Sequence, residues 1–303
     1  MTEARASETG RPVAGVLWML ATGVNFVMVT ALVKLVGGRI PAAESAFLRY
    51  LLGLVFLVPM IKPLIAARLT GRVLALFTAR GAAHTFGVIL WFYAMANIPM
   101  AEVTAINYLN PVFVTLGAAL SFRERLAARR IAAIVVALLG ALVILRPGLR
   151  EIVPGHVAML GAASFFAASY LLANRLAGSV RPVVVVAMLS ITVTIGLAPF
   201  ALGNWVAPTP AELGWLFGVA AFATAGHYTM TRAFAAAPLT VTQPVTFLQL
   251  VWSVLIGAMF FAEPVDGFVI LGGGLILGAV SFITWREAML KRRVTPVVNE
   301  AKI

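Results

Sequence analysis

The stretch "GVILWFYAMANIPMAEVTAINYLNPVFVTLGAALSFRE", residues 87–124, lies without a gap on "GHYTMTRAFAAAPLTVTQPVTFLQLVWSVLIGAMFFAE", residues 226–263, when the chain is slid by 139 positions. Pro99 then meets Pro238, Leu109 meets Leu248 and Glu124 meets Glu263. A shift of 140 lays a second, separate region on its counterpart, with Met19–Leu20 on Met159–Leu160 and Phe26 on Phe166. Two regions that share a nearly constant offset make an internal repeat, and the repeat governs how the rest of the chain is read.

The chain has 303 residues, 61% apolar and 11% charged, whereas a soluble domain carries about 25% charged residues. Apolar runs of about the twenty residues needed to cross a bilayer recur from end to end. They predict ten spans, at 13–34, 43–62, 76–97, 101–121, 129–146, 154–175, 183–203, 212–235, 240–262 and 267–286. Prolines at 41, 63, 99, 147, 154, 182, 208, 238 and 264 mark their edges, because proline cannot continue a preceding helix. The first run is too long for a signal-peptide core and reads as a retained span. Cysteine is absent, which excludes disulfides and thiol chemistry. The net charge of +12 resides mostly in short loops and tails, so it reads as membrane topology rather than as a nucleic-acid footprint. That bias places both termini in the cytoplasm of a multi-pass protein of a bacterial-type inner membrane. Residues 1–12 and 287–303 are then cytoplasmic tails, and 13–148 and 154–286 are the two repeat units.

Each unit has five spans, an odd number, so the second must be inverted relative to the first. The loop charges agree: "FRERLAARR" after span four carries four arginines, and its counterpart "FAEPVDG" after span nine carries none. The expected fold is therefore an all-α membrane protein of ten transmembrane helices in two inverted five-helix repeats. Such repeats, meeting at a midplane site, are a recurring transporter architecture. The ordered set Pro99, Asn110–Pro111, Phe113, Leu120, Phe122 and Glu124–Arg125, with "ESAFLRY" (Glu44 to Tyr50) opening span two, resembles the drug/metabolite transporter superfamily of EamA type over roughly residues 13–287. Within it the two halves are similar to S-adenosylmethionine uptake carriers and to vitamin or amino-acid carriers. The resemblance implies alternating access and includes both importers and exporters.

Polar groups inside spans mark cavities or partners, because lipid exposure is costly. Thr104, Asn107 and Asn110 share one helix face. The repeat sets Asn107 on Thr246 and Asn110 on Gln249, in a span that also carries Thr242 and Ser253. These bring polar groups toward the midplane from opposite faces, either as a solute site or as interhelical hydrogen-bond glue. The proline positions are not equivalent, since Pro111 falls on Leu250 and Pro244 stands six residues earlier, so the kinks are expected to differ. His84, Trp91, Tyr228 and Trp252 complete the candidate substrate-binding set. Arg80 reads as an anchor that snorkels to headgroups, and Tyr228 with Arg232 suits a clamp or a cap. The repeat does not match His84 with His227. Arg49 requires a counter-charge, for which Glu102 is one candidate, or a wet cavity; Glu44, Arg49 and Glu102 are the candidates for charge pairing or proton coupling. In "GGGLILG" (Gly272 to Gly278), Gly274 and Gly278 form a G-x-x-x-G pair suited to internal packing or a homodimer.

The leading expectation is a secondary carrier of a small polar organic metabolite such as a vitamin, nucleoside derivative or amino acid. The alternatives are a specific S-adenosylmethionine-type or riboflavin-type uptake carrier, or an amino-acid or drug exporter. A membrane enzyme needs nucleophile, base or metal ligands clustered at one depth, and the chain offers three scattered histidines and a single aspartate, Asp266. A non-transporting assembly protein ranks last. No catalytic residue, metal site or cofactor is expected; the expected partners are a small-molecule substrate and the lipid bilayer, and not nucleic acid.

Overall fold

The structure, a computed structural model, describes residues 12–122, 127–176 and 180–294. The expected tails, apart from Pro12 and 287–294, and the Glu124–Arg125 motif lie outside these residues. The described residues form helices and no strand. In order they are α1 (Pro12–Val36), α2 (Ala42–Gly53), a 3-10 segment (Leu54–Met60), α3 (Ile61–Ile65), α4 (Gly71–Asn97), α5 (Met100–Asn107), α6 (Asn110–Phe122) and α7 (Ala128–Leu145). The second half has α8 (Pro154–Leu176), α9 (Pro182–Leu202), α10 (Pro210–Ala236), α11 (Leu239–Val245), α12 (Phe247–Phe261) and α13 (Gly267–Val294). Counting α2–α3, α5–α6 and α11–α12 as one pass each gives ten.

Local chemistry sets most boundaries. Pro41 and Pro99 stand as N-caps of α2 and α5, and Pro154 and Pro182 open α8 and α9. Thr209 and Glu212 form a capping box at the start of α10, each satisfying the other's backbone N–H. Pro63 departs from expectation, since it lies within α3 rather than ending a span. Eight passes are long and apolar enough to cross a membrane by composition alone. The exceptions are α10, which carries Glu212, His227 and Arg232, and α11–α12, which is interrupted at Thr246. The second falls short by length alone, since Phe247–Phe261 is itself apolar.

Packing reproduces the repeat. α1 lies along α10 and α4 along α8; α2 meets α9, and α7 meets α13. The offset of about 139 converts α1 into α8 and α4 into α10, so the first two contacts are images of each other. The remaining two join each helix to its own counterpart. This is the pattern of a pseudo-twofold axis, and five passes per unit make the units antiparallel.

The broken spans correct one expectation. α5 ends at Asn107 and α6 starts at Asn110; α11 ends at Val245 and α12 starts at Phe247. The first break, Tyr108–Leu109, is equivalent to Phe247–Leu248, so the two breaks fall within two residues of each other although their prolines stand six apart. Pro111 follows its break and removes an N–H from the first turn of α6, whereas Pro244 precedes its break inside α11. The breaks touch: the Tyr108 hydroxyl donates to the Thr246 carbonyl at 2.7 Å, which also accepts from the Gln249 N–H at 2.9 Å. A carbonyl that leaves the regular helix pattern is thus satisfied by the break of the opposite repeat.

Candidate functional site

The carboxylates whose side chains are described collect at one end of the bundle. Glu44, Glu102, Glu151, Glu212, Glu263 and Asp266 all lie near the ends of α1, α4, α7, α9 and α12 or the starts of the helices that follow. They tie the helices together at that end. Lys34 pairs with Glu263 and donates to the Ile98 carbonyl at 2.9 Å, while the Met100 N–H donates to Glu263 at 2.8 Å. Arg39 pairs with Glu212, and Arg146 with Asp266. Arg150 donates from both terminal nitrogens to the two Glu102 oxygens, each at 2.8 Å, and His156 Nε2 lies 2.5 Å from the same carboxylate. The Val153 N–H donates to His156 Nδ1 at 3.1 Å, which leaves the hydrogen on Nε2 facing Glu102 when the ring is neutral. Glu44, fully buried, accepts from the Val206 N–H at 2.9 Å. The Lys34–Glu263, Met100–Glu263, Arg39–Glu212, Arg146–Asp266, His156–Glu102 and Val206–Glu44 links join one repeat to the other. Hydrogen bonds donated to the Glu212 and Glu102 carboxylates hold the loop guanidiniums of Arg39 and Arg150 above their ordinary pKa.

Glu102 is therefore not the counter-charge of Arg49. Its partners come from the loop after α7 and the start of α8, at the opposite end of the spans from Arg80. Glu44 is likewise engaged at the closed end.

At mid-depth the structure brings four candidates to the touching breaks. Asn110 donates to the Ala163 carbonyl of α8 at 3.5 Å, at the limit of a hydrogen bond. Gln249 packs beside Gly23, where an added Cβ would lie 3.6 Å from the Gln249 Cβ. Asn107 and Gln249 are half-buried, and neither side-chain amide has a hydrogen-bond partner among the described residues. Thr246 contributes its carbonyl, as above. Thr104 and Ser253 are different: they are fully buried and bond each other at 2.7 Å, so they are glue between α5 and α12.

A second group lies toward the other, basic end. His84 Nε2 is 3.1 Å from the Tyr50 hydroxyl, and Nδ1 is 3.2 Å from Ser169 Oγ. Phe166 lies on the His84 ring at 4.9 Å between centroids, and Trp91 meets Phe166 edge-on at 5.9 Å. Tyr228 accepts from Arg232 at 3.0 Å and meets Trp18 edge-on. Thr224, His227, Tyr228 and Thr231 are all exposed on one face of α10. A polar face left open inside a membrane span implies water beside it rather than lipid. Trp252 stands apart. With Leu248, Val251, Leu255 and Met259 it forms an exposed apolar stripe, the kind of surface that meets hydrocarbon.

Tyr50, Ser169 and Phe166 escaped the reading of the sequence. Tyr50 ends the "ESAFLRY" motif, the one signal that pointed to it. Ser169 and Phe166 carry no local mark and join the group only through the packing of α8 on α4.

Comparison with known proteins agrees with this architecture. The EamA-like transporter family matches twice, at residues 13–146 and 153–285. A riboflavin transporter of Rhizobium johnstonii is 32% identical over 294 residues, covering 95% of this chain and 96% of that protein. A pseudopaline exporter of Pseudomonas aeruginosa is 27% identical, covering 88% and 94%. An S-adenosylmethionine uptake transporter of Rickettsia prowazekii is 24% identical, covering 90% and 93%. A solved crystal structure superimposes with a TM-score of 0.61 at 18% identity, over 94% of this chain and 99% of the other, and shares its fold. Two matched repeats, touching helix breaks and relatives aligned over almost their whole length lead to one assignment: the chain belongs to the EamA-like transporter family.

Proposed function

We propose that this protein carries a small polar organic metabolite across a bacterial-type inner membrane by alternating access, with both termini in the cytoplasm. Units 13–148 and 154–286 rock against each other about the touching breaks. The observation that carries the reading is the pair of half-buried amides without a partner among the described residues, Asn107 and Gln249, one at the helix break of each repeat. Asn110, His84 and Trp91 extend the solute site from the first repeat, and Tyr228 from the second. The ion pairs at the acidic end close that side, and the polar face of α10 leaves the basic end open. The solute class is a vitamin, nucleoside derivative or amino acid. Riboflavin is the first probe, since the relative with 32% identity is a riboflavin transporter.

Uptake into sealed proteoliposomes tests this directly. Wild-type protein is expected to accumulate labelled riboflavin, or another member of that class, under a solute gradient. Asn110→Ala and Gln249→Ala are each expected to slow uptake about ten-fold, the equivalent of one hydrogen bond to solute, with little change in melting temperature. Normal uptake together with lowered melting would make these residues glue instead. Failure of every solute in the class would remove the transport reading.

A further inference from the structure

Arg49 and Arg80 are cations that the fold leaves without a counter-charge. The Arg49 guanidinium stacks over the Tyr50 ring, 4.0 Å from its centroid, and makes no hydrogen bond or ion pair among the described residues. Arg80 is 8% exposed; it donates once, to the Val185 carbonyl of α9 at 3.1 Å, and its Nε is buried with no acceptor. Arg80 therefore does not snorkel to headgroups as its sequence position suggests. Of all the N–H donors on the two guanidiniums, one finds an acceptor among the described residues.

The neighbours add to the same sign. His84 stands one helical turn beyond Arg80 on α4, and Arg49, Arg80 and His227 all lie within electrostatic reach of it. Tyr50 and Tyr170 lie within reach of Arg80. Apart from Glu287 near the end of α13, whose side chain is not described, every described carboxylate is at the far end of the bundle, already engaged or in a loop. An unpaired charge in a membrane interior is expensive, and two of like sign more so. Such a cluster persists where something outside the protein supplies the missing charge. Guanidinium is the group suited to a carboxylate or phosphate, which it binds through paired N–H donors.

We propose that Arg49 and Arg80 together bind an anionic group, carboxylate or phosphate, of the transported solute, which enters from the basic end. The proposal rests on the transport reading above and narrows its substrate class to solutes with a polar body and an anionic group; riboflavin, which carries no such group, probes the broader transport reading only. The amides at the breaks hold the body and the two arginines hold the charge. Tyr170, Ser169 and His84 stand beside them as further hydrogen-bonding groups.

The chain has no cysteine, so a single thiol reports on the local field without background. Thr231→Cys, one turn from His227, is reconstituted in nanodiscs of zwitterionic phosphatidylcholine so that no anionic lipid supplies the charge. It is then treated with sulfonatoethyl or trimethylammonioethyl methanethiosulfonate. Rates are normalised to those on a free small thiol and compared with Leu149→Cys, an exposed position at the acidic end. At Thr231→Cys the anionic reagent is expected to be favoured by about ten-fold over that control, as in a charge-focusing cleft, and Arg49→Gln or Arg80→Gln removes most of the preference. Inorganic phosphate, acetate or both are expected to slow the reaction, and the pattern names the anion. No charge preference, no reaction, or a preference that neither anion competes with would overturn the proposal. Melting supplies a second readout: Arg80→Gln is expected to melt no lower than its parent, because an unpaired buried charge is removed. A large fall would mark Arg80 as a structural anchor and likewise overturn it. Proteoliposome uptake is run in parallel, so that an anion site in a protein that moves no solute separates failure of the transport reading from failure of this one.

Discussion

Glu102→Ala is expected to destabilise the protein by about 3 kcal/mol, the lower end of the range for breaking a buried charge pair. Glu102 is 4% exposed and holds two donors of Arg150 and the His156 ring. Its removal leaves His156, also 4% exposed, facing an empty space with its Nε2–H unpaired. Arg150 keeps a quarter of its side chain in contact with solvent, so part of its charge is rehydrated and the loss stays below the upper limit. Glu102→Gln retains an oxygen for Arg150 and is expected to cost less. Replacing Glu102, Arg150 and His156 together with leucines is expected to recover most of the loss, since apolar packing of similar volume avoids the desolvation of the ions. Thermal melting of the purified variants checks the series. Unchanged melting in Glu102→Ala with abolished uptake would move Glu102 from the closed end of the fold into the transport chemistry.

The same residue shows where sequence reasoning stops. A carboxylate at the start of α5 and an arginine inside α2 invite pairing, because both are costly in a membrane. Yet the partner of Glu102 comes from the loop after α7, where Arg150 looks like an ordinary loop cation. Charge alone does not rank one arginine over another; that needs the packing of α5 against α7 and α8. The repeat, by contrast, is legible because it is a pattern of residues at fixed separation, and the contacts of α1 with α10 and of α4 with α8 follow from it. The coincidence of the two breaks was half legible. The equivalence of Asn107 with Thr246 could be read from the alignment, but Pro111 and Pro244 pointed to unequal kinks. What aligns the breaks is the Tyr108 hydroxyl on the Thr246 carbonyl, a contact across 138 residues with no sequence signature. The histidines show the same limit. His84 is equivalent to Ala223 and His227 to Val88, so no symmetric pair is implied. They nevertheless lie within electrostatic reach of each other, because α4 and α10 are equivalent helices and the two rings stand about one turn apart along them. Trp252 looked like its neighbours in composition, and only the burial of Leu250 and Ser253 on the opposite face turns it outward.

Gly272→Val is expected to be as damaging as any substitution in the apolar part of the protein, and Gly278→Val nearly silent, although both glycines lie in the same seven-residue run. A Cβ on Gly272 would stand 2.5 Å from the Gly140 carbonyl oxygen and equally close to Ile144 Cγ1; a Cβ on Gly140 would stand 2.7 Å from the Gly272 oxygen. The obstruction is backbone on both sides, so no change of rotamer relieves it, and α7 must move away from α13. Overpacking of this kind costs about 3 kcal/mol or more. Moving α7 also disturbs the Arg146–Asp266 pair at the end of the same contact. A Cβ on Gly278 meets nothing within 4 Å, and replacing a helix-interior glycine there removes backbone freedom from the unfolded chain. The tight packing that the G-x-x-x-G spacing suggested is thus made by Gly272 with Gly140, inside one molecule, and not by Gly274 with Gly278. Melting and yield of the two variants separate the positions. Size-exclusion chromatography of Gly278→Val reads the alternative use of this face: a dimer lost with melting intact would place Gly278 at a contact between copies of the chain.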